Sequence, residues 1–136
     1  MQQRYEKSMN WIKGQLKIKI HKKKEKNMDE FTKTKVKKIM DEYIRSKIPK
    51  QLQDQIKMNY KIRGNNVTII EERPAFRSEQ WVQHDIAQLR RDEEGWKVYW
   101  KDSRSKWHYV DDIEPNESFE KQLEIIDKDN RGMFWG

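Results

Sequence analysis

Residues 96–110 read WKVYWKDSRSKWHYV, so three tryptophans and two tyrosines fall in two alternating runs joined by the polar stretch DSRS. Period-two alternation flanking a turn is the pattern of a β-hairpin. Trp96, Val98 and Trp100 then share one face of the first strand, and Lys97, Tyr99 and Lys101 share the other. With a turn over residues 102–105, Trp107 and Tyr109 point one way and Lys106, His108 and Val110 the other. Trp107 is expected to lie alongside Trp96 and Trp100 in the core. Only 34% of the 136 residues are hydrophobic, which leaves a small core that aromatics must dominate. Each large aromatic can bury about 150–250 Å², so six tryptophans replace many aliphatic side chains.

The rest of the chain supplies strands and helices to match. Asp29 can cap a first helix whose Val36, Ile39, Met40, Tyr43 and Ile44 form one apolar stripe, and Pro49 stops it. Pro49 can itself open a short helical turn through Asp54. Ile56, Met58, Tyr60 and Ile62 alternate with Lys57, Asn59 and Lys61, a half-buried strand. Arg63-Gly64-Asn65-Asn66 turns the chain back into a second strand over residues 67–72. A long run from Trp81 to Arg91 follows. Asn116 or Ser118 caps a last helix carrying Phe119, Leu123 and Ile126 on one face, with Gly132 as its stop. The apolar end MFWG is expected to fold back onto the sheet. The fold class is therefore α+β: an N-terminal helix, an antiparallel sheet of about five strands (a hairpin plus a three-stranded meander) and a C-terminal helix.

Charge divides the chain in two. Residues 1–27 hold nine Lys/Arg and two Asp/Glu, a balance of +7 equal to that of the whole chain, so residues 28–136 are neutral. The division gives a basic arm over residues 1–27 and a single α+β domain over residues 28–136. Within the arm, Tyr5, Met9, Ile12, Leu16 and Ile20 recur at helical spacing, whereas KIKIH at residues 17–21 can equally start a strand. No cysteine is present. Disulfides and thiolate-bound zinc are thereby excluded, consistent with a cytoplasmic protein. No uncharged stretch approaches the roughly 18 residues of a spanning helix.

GNNVTIIEERP, IAQLR, WKVYWKDSRSKWHYV and RGMFWG occur in this order, and the combination of EERP, WxxYW, KWH and a terminal FWG is fairly specific. It resembles the small bacterial domain-of-unknown-function family numbered 3024, over about residues 28–136. That family's domain opens near the position of Met28, so residues 1–27 depart from its pattern. The resemblance implies a bacterial origin and a shared fold. The family has no assigned reaction, so no catalytic residue carries over.

The residues assemble no nucleophile, metal cage or phosphate cradle. No HExxH or HxH spacing accompanies the three histidines, and no Gly-rich phosphate loop or GxSxG elbow is present, so no cofactor and no metal are expected. Glu72, Arg73 and His108 can form a polar cleft if the fold brings them together, which would favour an enzyme of an unrecognised class. For Glu71, Glu72 and Arg73 a structural ion pair is the commoner arrangement. A basic strand face bearing an aromatic, Lys97, Tyr99 and Lys101, is how sheets hold single-stranded nucleic acid, with bases stacked and ammonium groups at phosphates. The alternative is a second aromatic layer beneath the helices, with lysine stems reaching outward. Lys22, Lys23, Lys24 and Lys26 form a dense patch that attracts nucleic acid or any other polyanion. The expectation is a small non-enzymatic module that binds nucleic acid or another macromolecule. A protein partner, in a purely structural interaction module, is a further possibility.

Overall fold

The structure is a computed structural model that describes residues 27–135. The helix and strand expectations for residues 1–26 fall outside them.

Helix α1 (Glu30–Lys47) starts where Asp29 can satisfy its first turn: the Thr32 amide donates to Asp29 Oδ1 at 2.6 Å. Val36 and Met40 are buried, and Ile39, Tyr43 and Ile44 pack against the same cluster, which is the stripe read from the sequence. Ile48 turns extended ahead of Pro49, and a 3₁₀ turn (Lys50–Leu52) leads into the sheet. Five strands follow: β1 (Lys57–Arg63), β2 (Asn66–Pro74), β3 (Trp81–Asp92), β4 (Gly95–Lys101) and β5 (Trp107–Tyr109). They pair antiparallel in chain order, so the hairpin and the meander are one continuous sheet. Helix α2 (Phe119–Lys128) closes the domain, capped by Ser118, whose hydroxyl accepts from the Lys121 amide.

Both helices lie on the same face of the sheet. Val36 and Met40 of α1 and Phe119, Leu123 and Ile126 of α2 form one cluster with Val67, Ile69, Ala87, Leu89, Trp96 and Val98. Buried Gln122 ties α2 to β4, its amide donating to the carbonyls of Trp96 (2.8 Å) and Glu114 (2.9 Å). Gly95 makes that approach possible. Its φ is +115°, and a Cβ there would lie 2.7 Å from the Asn116 carbonyl carbon, where Trp96 and Asn116 exchange backbone hydrogen bonds.

Two features of the sheet could not be read from alternation alone. The β2–β3 register slips between Ile69 and Ile70, which pair with Ala87 and Asp85 and leave Ile86 as the extra residue. This bulge inverts the first half of β3. Trp81, Gln83 and Asp85 therefore face away from the helices, although plain alternation from Leu89 would place them toward the helices. The β4–β5 connection spans residues 102–106, one more than the four-residue turn expected. Asp102 sets its length by accepting from the amides of Arg104 (2.8 Å) and Lys106 (2.9 Å) through Oδ1. Lys101 then pairs with Trp107, and Trp100 with His108. A one-residue slip exchanges the faces of every following side chain, so Trp107 is not a core residue beside Trp96 and Trp100 but sits on the opposite face.

The C-terminal tail folds back into the core on its helix side. Phe134 is buried and Trp135 half-buried, with the indole N–H donating to the Ile126 carbonyl at 3.0 Å. The helix stops at Asp129 rather than at Gly132. Asp129 takes the left-handed conformation (φ +44°), and its carboxylate accepts from the amides of Met133, Phe134 and Trp135. Across the helices, Asp127 accepts from the Tyr43 hydroxyl (2.8 Å) and Lys47 (2.7 Å). The Lys47 hydrogen bond, then that of Tyr43, holds Asp127 below the usual carboxylate range. Burial, then the Asp127 hydrogen bond, pushes the Tyr43 phenol far up.

Candidate nucleic-acid interface

Cross-strand partners share a face, so the register assigns the side of the sheet opposite the helices. It carries Lys57, Lys61 and Arg63 from β1, Thr68, Ile70 and Glu72 from β2, and Trp81, Asp85, Gln88 and Arg90 from β3. From β4 and β5 it carries Lys97, Tyr99, Lys101, Trp107 and Tyr109. None of the described helices packs on it. Four aromatic rings and six cationic side chains thus stand on one surface, against the carboxylates of Glu72, Asp85 and Asp92.

The face holds a depression of about 610 Å³, lined both by Lys61 and Arg63 of β1 and by Trp107 of β5. These strands are the opposite edges of the sheet, so their long side chains lean over its middle. Ile70, only 1% exposed, lies in the hollow outside the core cluster.

Each aromatic ring has a cation or a second ring beside it. Lys57 Nζ lies 4.2 Å from the Trp81 ring centre, the Arg90 guanidinium 3.9 Å from that of Tyr99, and Lys101 Nζ 5.3 Å from that of Trp107. Tyr99 and Tyr109 have ring centres 5.4 Å apart. The lysines expected to carry the site are not all free. Lys97 is bound to Asp92 at 2.8 Å, which together with the nearby Glu94 raises its pKa, and Lys101 is bound to Asp85 at 2.6 Å. Lys57, Lys61, Arg63 and Arg90 have no carboxylate partner among the described residues. The free positive charge of this face therefore lies on β1 and β3, which the sequence reading did not single out. The alternation of Lys57, Asn59 and Lys61 was visible, but which face it joined depended on the register.

The polar cleft does not assemble. Glu72 and Arg73 are on β2 and His108 on β5, with β3 and β4 between them. Glu72 accepts from Gln83 (2.7 Å), Arg73 is paired with Glu71, and His108 Nε2 lies 2.6 Å from Asp102 while its ring stacks on Trp100. The His108 contact, then the Lys106 amide, lowers the Asp102 pKa. Among the described residues no three His, Asp or Glu side chains gather as metal ligands. Lys22, Lys23, Lys24 and Lys26 lie outside the described residues. The larger hollow of about 850 Å³ beside β1 is lined by Asp41, Asp54 and Glu72 against Arg45 and Lys57, a balance that does not favour an anion.

A family profile, described as a domain of unknown function (DUF3024), matches residues 28–136. The chain belongs to that family. No curated protein and no solved structure matches it. The DUF3024 match begins at Met28, whose amide donates to the Gly64 carbonyl at 3.4 Å, so the chain enters the domain at the β1–β2 turn next to Arg63. No described helix of the domain is long and apolar enough to cross a membrane.

Proposed function

We propose that this DUF3024 domain is a small, non-enzymatic, cytoplasmic bacterial protein that binds single-stranded nucleic acid on the uncovered face of its sheet. The observation that carries the reading is the co-location of Trp81, Tyr99, Trp107 and Tyr109 with Lys57, Lys61, Arg63 and Arg90 on that face. Single strands expose the flat faces of their bases, and aromatic side chains on a sheet can stack on them while cations meet the phosphates. A duplex hides its base faces. Lys97 and Lys101, already paired, serve in this reading as half-neutralised supports for Tyr109 and Trp107.

The basic arm adds general attraction for polyanions. The test is a titration of the full chain with labelled single-stranded RNA, single-stranded DNA and duplex DNA of equal length, and with anionic vesicles, at two salt concentrations. Single strands should bind more tightly than duplex, and log affinity should fall with log salt by about 0.7 for each phosphate neutralised. Equal affinity for all four probes would leave only the arm's charge at work. No binding to any would favour the protein-interaction module.

A further inference from the structure

The depression between the two edges of the sheet has a composition that the face as a whole lacks. Its rim carries Lys61 and Arg63 on one side and the half-buried Trp107 ring on the other, and its floor holds Ile70 and Thr68. At about 610 Å³ it falls within the 300–1,000 Å³ of small-molecule sites. The polar groups inside are unequally occupied. Gln88 is engaged at both ends of its amide, donating to Thr68 Oγ1 (2.9 Å) and accepting from Arg90 (2.6 Å). Asp85 is neutralised by Lys101. The Thr68 hydroxyl therefore accepts from Gln88 and keeps its own proton to donate. The Asn66 side-chain amide takes part in no hydrogen bond among the described residues and offers both a donor and an acceptor.

We infer that this depression is the seat of a single nucleotide of the bound strand, with its base stacked on Trp107, its base edge toward Asn66 and Thr68, and its phosphodiester toward Lys61 and Arg63. The inference rests on the single-strand reading above and goes beyond it: one position of the strand is held by hydrogen bonds as well as stacking, whereas Trp81, Tyr99 and Tyr109 give stacking alone. The fixed cations are supplied by β1, an edge strand whose Lys61 and Arg63 side chains are exposed. Arg63 precedes the Gly64 turn, and Asn66 is its cross-strand partner, so a phosphate contact and a base-edge contact arise from one residue pair.

The test uses the full chain and a fluorescein-labelled hexanucleotide RNA, with the fold of each variant checked by circular dichroism. Trp107→Ala should weaken binding about tenfold, the worth of one stacked base, and Trp107→Phe should restore most of it. Arg63→Gln, which removes an exposed side chain without disturbing packing, should flatten the salt dependence by about 0.7 in log–log slope. Asn66→Ala should narrow the difference in affinity among hexanucleotides of different sequence while leaving that slope unchanged. If Trp81→Ala and Tyr109→Ala weaken binding as much as Trp107→Ala, and Arg63→Gln matters no more than Lys97→Gln, the single-nucleotide seat is wrong and the platform reading stands. If none of these variants changes binding, while replacing Lys22, Lys23, Lys24 and Lys26 by glutamine abolishes it, both are wrong.

Discussion

On the covered face of the sheet Trp96 is 3% exposed and meets Phe119 edge-on at 4.9 Å, whereas on the other face Trp81 and Trp107 keep half-open rings beside lysine ammonium groups. One side chain type thus plays two parts separated by the thickness of a strand. The covered tryptophan replaces the aliphatic volume that a chain with 34% hydrophobic residues lacks. The uncovered ones are half-buried and lie outside the core cluster, with lysine ammonium groups beside their rings. Two local irregularities create the contrast. The Ile86 bulge sends Trp81 to the open side, and the extra residue of the 102–106 connection sends Trp107 there.

The sharpest way to break the comparison is to remove one tryptophan from each face. Trp96→Ala should cost about 3–5 kcal/mol, the range for emptying a large aromatic site in a core. Trp107→Ala should cost less, about 1 kcal/mol, because the ring is only half-buried and lies outside the core cluster. Urea denaturation measures both, and comparable losses would erase the distinction between the faces. A smaller effect is expected from Gln122→Met. The Trp96 carbonyl keeps the Asn116 amide as a partner, but the Glu114 carbonyl loses the Gln122 side chain, a penalty of about 1–3 kcal/mol by the same measurement.

Smaller again is the acid sensitivity of the helix side. The folded-state pKa of Asp127 is depressed by Lys47 and Tyr43. Its contribution is thus present above the ordinary aspartate value of about 4 and is lost as pH falls through the lower folded-state value. Because the carboxylate and Lys47 are both more than a third exposed, solvent screens the pair and the contribution is small. Denaturation midpoints measured at pH 6 and pH 3 should therefore differ slightly less in Asp127→Asn than in the parent chain. The smallest effect on stability is expected from deleting residues 1–27, which should leave a cooperative thermal transition, with the Met28 hydrogen bond to Gly64 in place. A non-cooperative transition would make the arm part of the fold.

Much of this architecture was legible in the sequence because its signals are local. The Asp29 and Ser118 caps, the α1 stripe and the alternation of β1 and β4 each depend on residues a few positions apart, and all appear where expected. What was not legible depends on counting across a turn or a bulge. Lys97, Tyr99 and Lys101 could be assigned to one face from alternation, but whether helices covered that face required the packing of both helices. The neutralisation of Lys97 and Lys101 required the positions of Asp92 and Asp85 on the neighbouring strand. Trp81, Arg63 and Arg90 went unnoticed as site residues because only the register brings them to one surface. The absence of a Glu72, Arg73 and His108 cleft follows from strand order, which local patterns do not encode.

The most direct test of the open face uses the six indole N–H resonances of the full-length chain, one for each tryptophan, followed by two-dimensional ¹⁵N–¹H NMR as a single-stranded RNA is added. Trp81 and Trp107 should shift, while Trp96, Trp100 and Trp135 on the helix side stay in place. Movement confined to Trp11, the one tryptophan of the basic arm, or equal movement of the covered and uncovered tryptophans, would contradict the account.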